Sequence, residues 1–192
     1  GTAWAAVSDD AISITEADQD GTDPAQPAEY RLVYNNNDGK LYKEYQDRSR
    51  LAYTAQKDRW RGLDQDGDGS FETLQLNGFR FYSKHKCAMN SGGNIMRSAI
   101  SLPSSSAVLD SEGENIISYD ADGNIAYGGV LSTGYATVTG GGTIRLTATN
   151  AEHPRVWEAA NGLAVKGNAT IILNAESTSE YAYGIEVNQD LS

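Results

Sequence analysis

Residues 129–187, GVLSTGYATVTGGGTIRLTATNAEHPRVWEAANGLAVKGNATIILNAESTSEYAYGIEV, decide the fold. The stretch is poor in charge, rich in Gly, Ser, Thr and β-branched residues, and has no apolar repeat of helical period, so it reads as strands. Two short patterns recur in it and just before it. One is a small residue opening a strand: Ala99-Ile-Ser-Leu102, Gly129-Val-Leu-Ser132, Gly162-Leu-Ala-Val165 and Gly184-Ile-Glu-Val187, starting 30, 33 and 22 residues apart. The other ends on Leu: Ser106-Ala-Val-Leu109, Thr143-Ile-Arg-Leu146 and Thr170-Ile-Ile-Leu173. Strands recurring every 20 to 50 residues or so mark a stacked array. The expected fold is all-β, a parallel β-helix whose short strands pair with those of the next coil about 4.8 Å away. Alternate side chains then point inward: Ile100 and Leu102, Leu163 and Val165, Ile185 and Val187. An antiparallel sandwich or barrel is the other reading of short strands between turns. Few two-residue hairpin turns follow residue 125, which favours the helix.

Working outward, the charge of the 192-residue chain divides unevenly. Residues 1–30 hold seven acids and no Lys or Arg, residues 31–100 eight acids and twelve bases, and residues 101–192 eleven acids and three bases. The net charge of −11 disfavours nucleic-acid binding, which depends on neutralising phosphates with Lys and Arg. No stretch approaches the roughly 20 apolar residues of a membrane-spanning helix, so no membrane insertion is expected. Gly1 in place of Met is the start expected of a chain that has lost a targeting segment. Residues 1–29 read as an acidic linker with little apolar surface to offset its ordering entropy, or as an edge segment docked through Trp4, Ile12 and Ile14. Residues 30–70 form an aromatic-rich β-hairpin module with a calcium-type loop, and residues 71–192 the coils. Ten of the seventeen aromatic residues lie between Tyr30 and Tyr82, so this region packs the end of a core or, being basic, takes an acidic sugar. Asn35-Asn-Asn-Asp-Gly39 supplies the positive φ of a hairpin turn between Tyr30–Tyr34 and Lys40–Tyr45.

The sharpest chemical signal is Asp64-Gln-Asp-Gly-Asp-Gly-Ser-Phe-Glu72. Carboxylates at alternate positions converge when a loop coils around a cation, and all-oxygen sites suit calcium. The ligand set is Asp64, Asp66, Asp68, Glu72 and the carbonyl of Ser70, a nine-residue arrangement. A twelve-residue EF-hand would need an acid where Gln75 stands. The alternative is a solvated acidic turn. A weaker echo, Asp120-Ala-Asp-Gly-Asn124, reads as a turn.

Leu74-Gln-Leu-Asn-Gly-Phe-Arg-Phe81, Ala99 to Leu109 and Gly113-Glu-Asn-Ile-Ile117 together resemble the opening coils of secreted right-handed parallel β-helix (pectin-lyase-like) proteins of anaerobic bacteria, some of them carbohydrate-binding. The resemblance spans roughly residues 70–192. It implies a right-handed parallel β-helix preceded by the N-terminal β-hairpin segment, secretion or display at the cell surface, and polysaccharide binding with calcium. Aromatic rings stack on sugar faces, and the candidates are Trp157, Tyr127, Tyr135, Tyr181 and Tyr183, with Trp157 placed in a projecting insertion, Asn150 to Asn161. Catalysis finds little support in the residues. His85 and Cys87 in Lys84-His-Lys-Cys87 lack an evident third group. Glu186 has no acidic partner at the matching positions Ala164, Leu131 and Ser101, and after residue 100 the only Lys and Arg are Arg145, Arg155 and Lys166. The expectation is therefore a noncatalytic glycan binder. A structural or adhesive spacer, joining further repeats or a second copy through an open C-terminal coil, is the alternative, and a polysaccharide lyase or glycosidase stands third. An open last coil after Val187 would mean a truncated chain, or one capped by a partner or by the N-terminal segment.

Overall fold

The structure is a computed structural model, and it describes residues 20–86, 89–90, 93–94, 98–103, 105–187 and 190–191. Its strands are β1 (Arg31–Asn35), β2 (Lys40–Glu44), β3 (Arg50–Ala52), β4 (Trp60–Leu63), β5 (Thr73–Asn77), β6 (Arg80–Lys84), β7 (Met89–Asn90), β8 (Gly93–Asn94), β9 (Ser98–Ser101), β10 (Ala107–Glu112), β11 (Glu114–Thr139), β12 (Thr143–Val165), β13 (Thr170–Ser177), β14 (Tyr183–Val187) and β15 (Asp190–Leu191). There is no helix among the described residues. The chain is all-β, and its main sheet is largely parallel.

The parallel pairs line up in three ladders. The first stacks Leu32 of β1, Ile100 of β9, Leu131 of β11, Trp157 of β12 and Ile185 of β14. The second stacks Leu74 of β5, Leu109 of β10, Val138 of β11 and Val165 of β12, with Leu163 against Leu191 of β15. The third stacks Phe81 of β6, Ile117 of β11, Leu146 of β12 and Leu173 of β13. The chain visits the ladders in the same order on each pass, and β11 and β12 each run through all three, bending where the register shifts.

The recurring glycine works at a corner as well as at strand starts such as Gly129, where a Cβ would lie 2.0 Å from the Arg155 carbonyl oxygen. Between the second and third ladders, Gly78, Gly113, Gly140 and Gly167 all have positive φ, which L-residues with a Cβ adopt poorly. At Gly140 a Cβ would also lie 2.3 Å from the Ser111 carbonyl oxygen of the neighbouring pass. Asn115, fully buried, staples the same corner. Its Oδ1 accepts from the Phe79 N–H at 2.9 Å, and its Nδ2 donates to Ser111 Oγ at 3.0 Å and the Glu112 carbonyl at 2.9 Å.

This register corrects the sequence grouping. Gly162–Val165 belongs with Ala107–Leu109 in the second ladder, not with Ala99–Leu102, and Thr143–Leu146 pairs with Glu114–Ile117 in the third. Short Gly-started strands resemble one another whichever ladder they occupy, so local pattern does not assign them. Ile100, Leu102 and Leu163 are buried as expected, whereas Val165 is 40% exposed. The side chain of Val187 lies outside the described residues. In the first ladder both members of Ala99/Ile100, Val130/Leu131 and Val156/Trp157 are buried, so simple in–out alternation fails there.

At the N-terminal end the ladders meet antiparallel strands. β1 pairs with β2 through the expected Asn35–Gly39 turn, β2 with β3, and β4 with β5. Tyr30, Tyr53, Trp60, Phe79 and Phe81 are all buried and pack ring against ring, with centroids 6.0–6.5 Å apart. Residues 30–70 therefore share one continuous core with the ladders. Of the acidic N-terminal segment, residues 20–29 run along β6. Tyr82 N–H donates to the Gly21 carbonyl at 2.7 Å, Ala28 N–H to the Tyr82 carbonyl at 2.9 Å, and Lys43 pairs with Asp20. Trp4, Ile12 and Ile14 lie outside the described residues.

Candidate functional site

The loop between β4 and β5 is held by its own carboxylates. Asp64 accepts from the N–H groups of Gly67 at 2.7 Å and Gly69 at 2.9 Å, Asp66 from Asp68 N–H at 3.1 Å, Asp68 from Ser70 N–H at 2.7 Å, and Glu72 Oε1 from Gln65 N–H at 2.8 Å. Gly67 and Gly69 take φ of +75° and +90°, the turns that coil the loop. The result is that Asp64, Asp66, Asp68 and Glu72 each present an oxygen within 4.8 Å of the others. Glu72 Oε2 is shielded from water and has no hydrogen-bond partner. The Gly69 N–H, then that of Gly67, outweigh partial desolvation and hold the Asp64 carboxyl below the usual carboxylate range. The Asp68 N–H pulls Asp66 the same way, but partial desolvation and the negative charges of Asp68 and Glu72 win and push it up. A hard divalent cation would relieve that repulsion and give Glu72 Oε2 a partner, so the residues fit such an ion. The loop's stem is fastened to the first hairpin: Tyr34 Oη donates toward the carbonyls of Phe71 at 2.7 Å and Thr73 at 3.0 Å, and the Phe71 N–H to the Asn36 carbonyl at 2.7 Å.

The five aromatic candidates separate. Trp157 is fully buried in the first ladder, and its Nε1–H donates to Thr133 Oγ1 at 3.3 Å. The expected stacking surface on Trp157 is thus corrected: residues 150–161 are not a projecting insertion but part of β12, which carries the ring into the core. Tyr181, just before β14, and Tyr183, its first residue, are 57% and 44% exposed. The Tyr181 ring centroid lies 5.9 Å from that of His153, and Tyr183 pairs in register with Arg155. Tyr135 is also exposed but stands at the start of the second ladder, opposite Gly162. The side chain of Tyr127 lies outside the described residues; its backbone pairs with His153.

His85 is buried, which lowers its pKa, and its Nδ1 and Nε2 each lie 3.3 Å from a backbone carbonyl, those of Lys86 and Ser98. A ring so enclosed is part of the core. Cys87 and the Glu186 side chain lie outside the described residues. At the Asp120 echo, Asp120 Oδ1 accepts from Asp122 N–H at 2.8 Å and Asn150 Nδ2 at 2.7 Å, while Asp122 faces Lys84 at 3.4 Å. These are the contacts of a turn inside β11, where the register shifts.

One cluster went unread in the sequence. Arg31 and Glu44 are register partners across the first hairpin, and Arg50 is opposite Glu44 on the next strand. Counting outward from the Asn35–Gly39 turn would have paired Arg31 with Glu44. Glu44 is only 4% exposed, and burial alone would raise its pKa, but the charges and N–H groups of Arg31 and Arg50 hold it below the ordinary range. No known family, curated protein or solved structure matches this chain.

Proposed function

We propose that the three ladders are the faces of a right-handed parallel β-helix, and that the chain is a noncatalytic, secreted or cell-surface polysaccharide binder whose 64–72 loop is pinned by calcium. The identical order of ladders on each pass supports the helix, and parallel connections of this kind run right-handed in the great majority of cases. The observation that carries the binding reading is the exposed pair Tyr181 and Tyr183, flanked by His153 and Arg155. Tyr rings offer an apolar face to a sugar and a hydroxyl to its rim. Calcium would be held by Asp64, Asp66, Asp68 and Glu72, with Ser70 lending its carbonyl, and its role is to fix the hairpin stem.

A glycan array, run with and without calcium, tests this reading. Binding to at least one polysaccharide, lost in Tyr181→Ala/Tyr183→Ala, is the expected result; an array on which no glycan binds sinks the idea. A second reading, a structural spacer, draws on the 40% exposure of Val165 and the half-buried Ile171 and Leu173. Concentration-dependent self-association in sedimentation, alongside an empty array, is its signature.

A further inference from the structure

We infer that the outer face of β1–β3 carries an anion subsite that takes the carboxylate or ester sulfate groups of an acidic polysaccharide. Arg31, Glu44, Arg48 and Arg50 line a cleft of about 350 Å³ there. Glu44 is fixed in place with both its oxygens engaged: Arg31 Nε lies 2.9 Å and Nη2 2.7 Å from Oε1, and Arg50 Nε 2.6 Å from Oε2. It acts as a buried post that orients two guanidinium groups. The cleft then holds three guanidinium charges against one carboxylate, in a chain whose net charge is −11.

Folding alone does not require that excess. The Glu44 carboxylate lies between Arg31 and Arg50 and offsets one positive charge; the two that remain, counting Arg48, meet no second carboxylate in the lining of the cleft. Arg48 adds a separate argument. It is exposed and sits at φ +69° in the turn between β2 and β3, its N–H donating to the Tyr45 carbonyl at 2.9 Å. Gly or Asn would hold that left-handed position with less strain, and strained residues gather where a side chain is needed. Planar guanidinium forks match carboxylate and sulfate oxygens in pairs.

The class of ligand rests on the polysaccharide reading above; the anion subsite itself does not. Wild type and the variants Arg48→Gly and Arg50→Gln are titrated at 0.15 M salt with dextran sulfate and dextran, and with oligogalacturonate and a neutral galacto-oligosaccharide. The expected result is that one acidic glycan binds about ten-fold or more tighter than its neutral counterpart, as one charge-assisted pair supplies. Each arginine variant removes that preference, and the two pairs of ligands tell sulfate from carboxylate. Equal binding of acidic and neutral glycans, or a preference that survives in both variants, overturns the inference. Arg48→Gly serves as the variant that keeps the fold, since it relieves the backbone and leaves the Glu44 contacts intact; an unchanged melting temperature verifies this. If no glycan of either class binds, the polysaccharide reading fails, and inorganic sulfate and free glucuronate decide the subsite. Shifts of the Arg48 and Arg50 Nε–Hε resonances on their addition uphold it, and unmoved resonances overturn it.

Discussion

Replacing Trp157 by Ala separates a core ring from a sugar platform. The indole is fully buried between Leu131 below and Ile185 above, and its Nε1–H satisfies Thr133 Oγ1. A buried Trp removes about 150–250 Å² from water, which at about 25 cal/mol per Å² corresponds to roughly 4–6 kcal/mol as an upper figure. Retention of the Cβ and partial collapse of the site bring the expected loss to about 3–5 kcal/mol. A domain of this size has about 5–15 kcal/mol in total, so the variant should be close to unfolding at growth temperature. Trp157→Phe keeps most of the ring, loses the hydrogen bond to Thr133, and should cost only about 1–2 kcal/mol. Urea denaturation followed by far-ultraviolet circular dichroism gives both values, with an unchanged slope showing that the unfolded state is the same. A loss below about 1 kcal/mol for Trp157→Ala, accompanied by loss of glycan binding, would refute the buried placement and return the ring to the surface.

Three further outcomes concern charge. Calcium at a hundred times its dissociation constant should stabilise wild type by about 2.7 kcal/mol, and Asp66→Ala should abolish the rise in melting temperature; a wild type indifferent to calcium would show that the loop is only an acidic turn. Because Asp66 is held protonated to higher pH than an ordinary carboxyl, protons compete with the ion and the calcium effect should shrink on acidification. Glu44, by contrast, has its folded pKa depressed, so the stability it contributes is complete above the ordinary glutamate value of about 4.3 and is lost as pH falls through the lower folded value. Glu44→Gln should therefore be less stable than wild type at pH 7, by about 1–3 kcal/mol since Arg50 is half exposed, with the gap closing below about pH 4; parallel pH curves for the two proteins would contradict this.

Strands, turns and the acidic loop could be read from local chemistry. Asn35–Gly39 forms its hairpin because its residues tolerate positive φ, and Asp64 to Glu72 converge because alternate positions of a coiling loop share a side. Register could not be read in this way. Gly129-Val-Leu-Ser132 and Gly162-Leu-Ala-Val165 look alike, yet they stack in different ladders, a distinction set by which strand of the neighbouring pass each one meets. Trp157 was misplaced for the same reason: His153, Pro154 and Arg155 resemble loop chemistry, but β12 continues straight through them. The arginine cluster depended on pairing across two turns, which a scan for sequence motifs does not examine.

The antiparallel strands at the N-terminal end set a direction of assembly. β1 to β3 and the β4–β5 hairpin join residues close in sequence, so they close small loops and form early, while the parallel pairs must bring together residues roughly thirty positions apart, and β1 with β9 more than twice that. The buried ring cluster is built on that early unit: Trp60 lies in β4 and packs on Tyr53 just after β3, and Phe79 and Phe81, beyond β5, extend the cluster into the first strand of the third ladder. It is placed to act as the folding nucleus from which successive passes zip, each inheriting its register from the one before. Mutations in those rings should then slow folding, whereas mutations higher in the stack should mainly hasten unfolding. The end that looks like an ornament on a parallel stack is the template that counts its first rung.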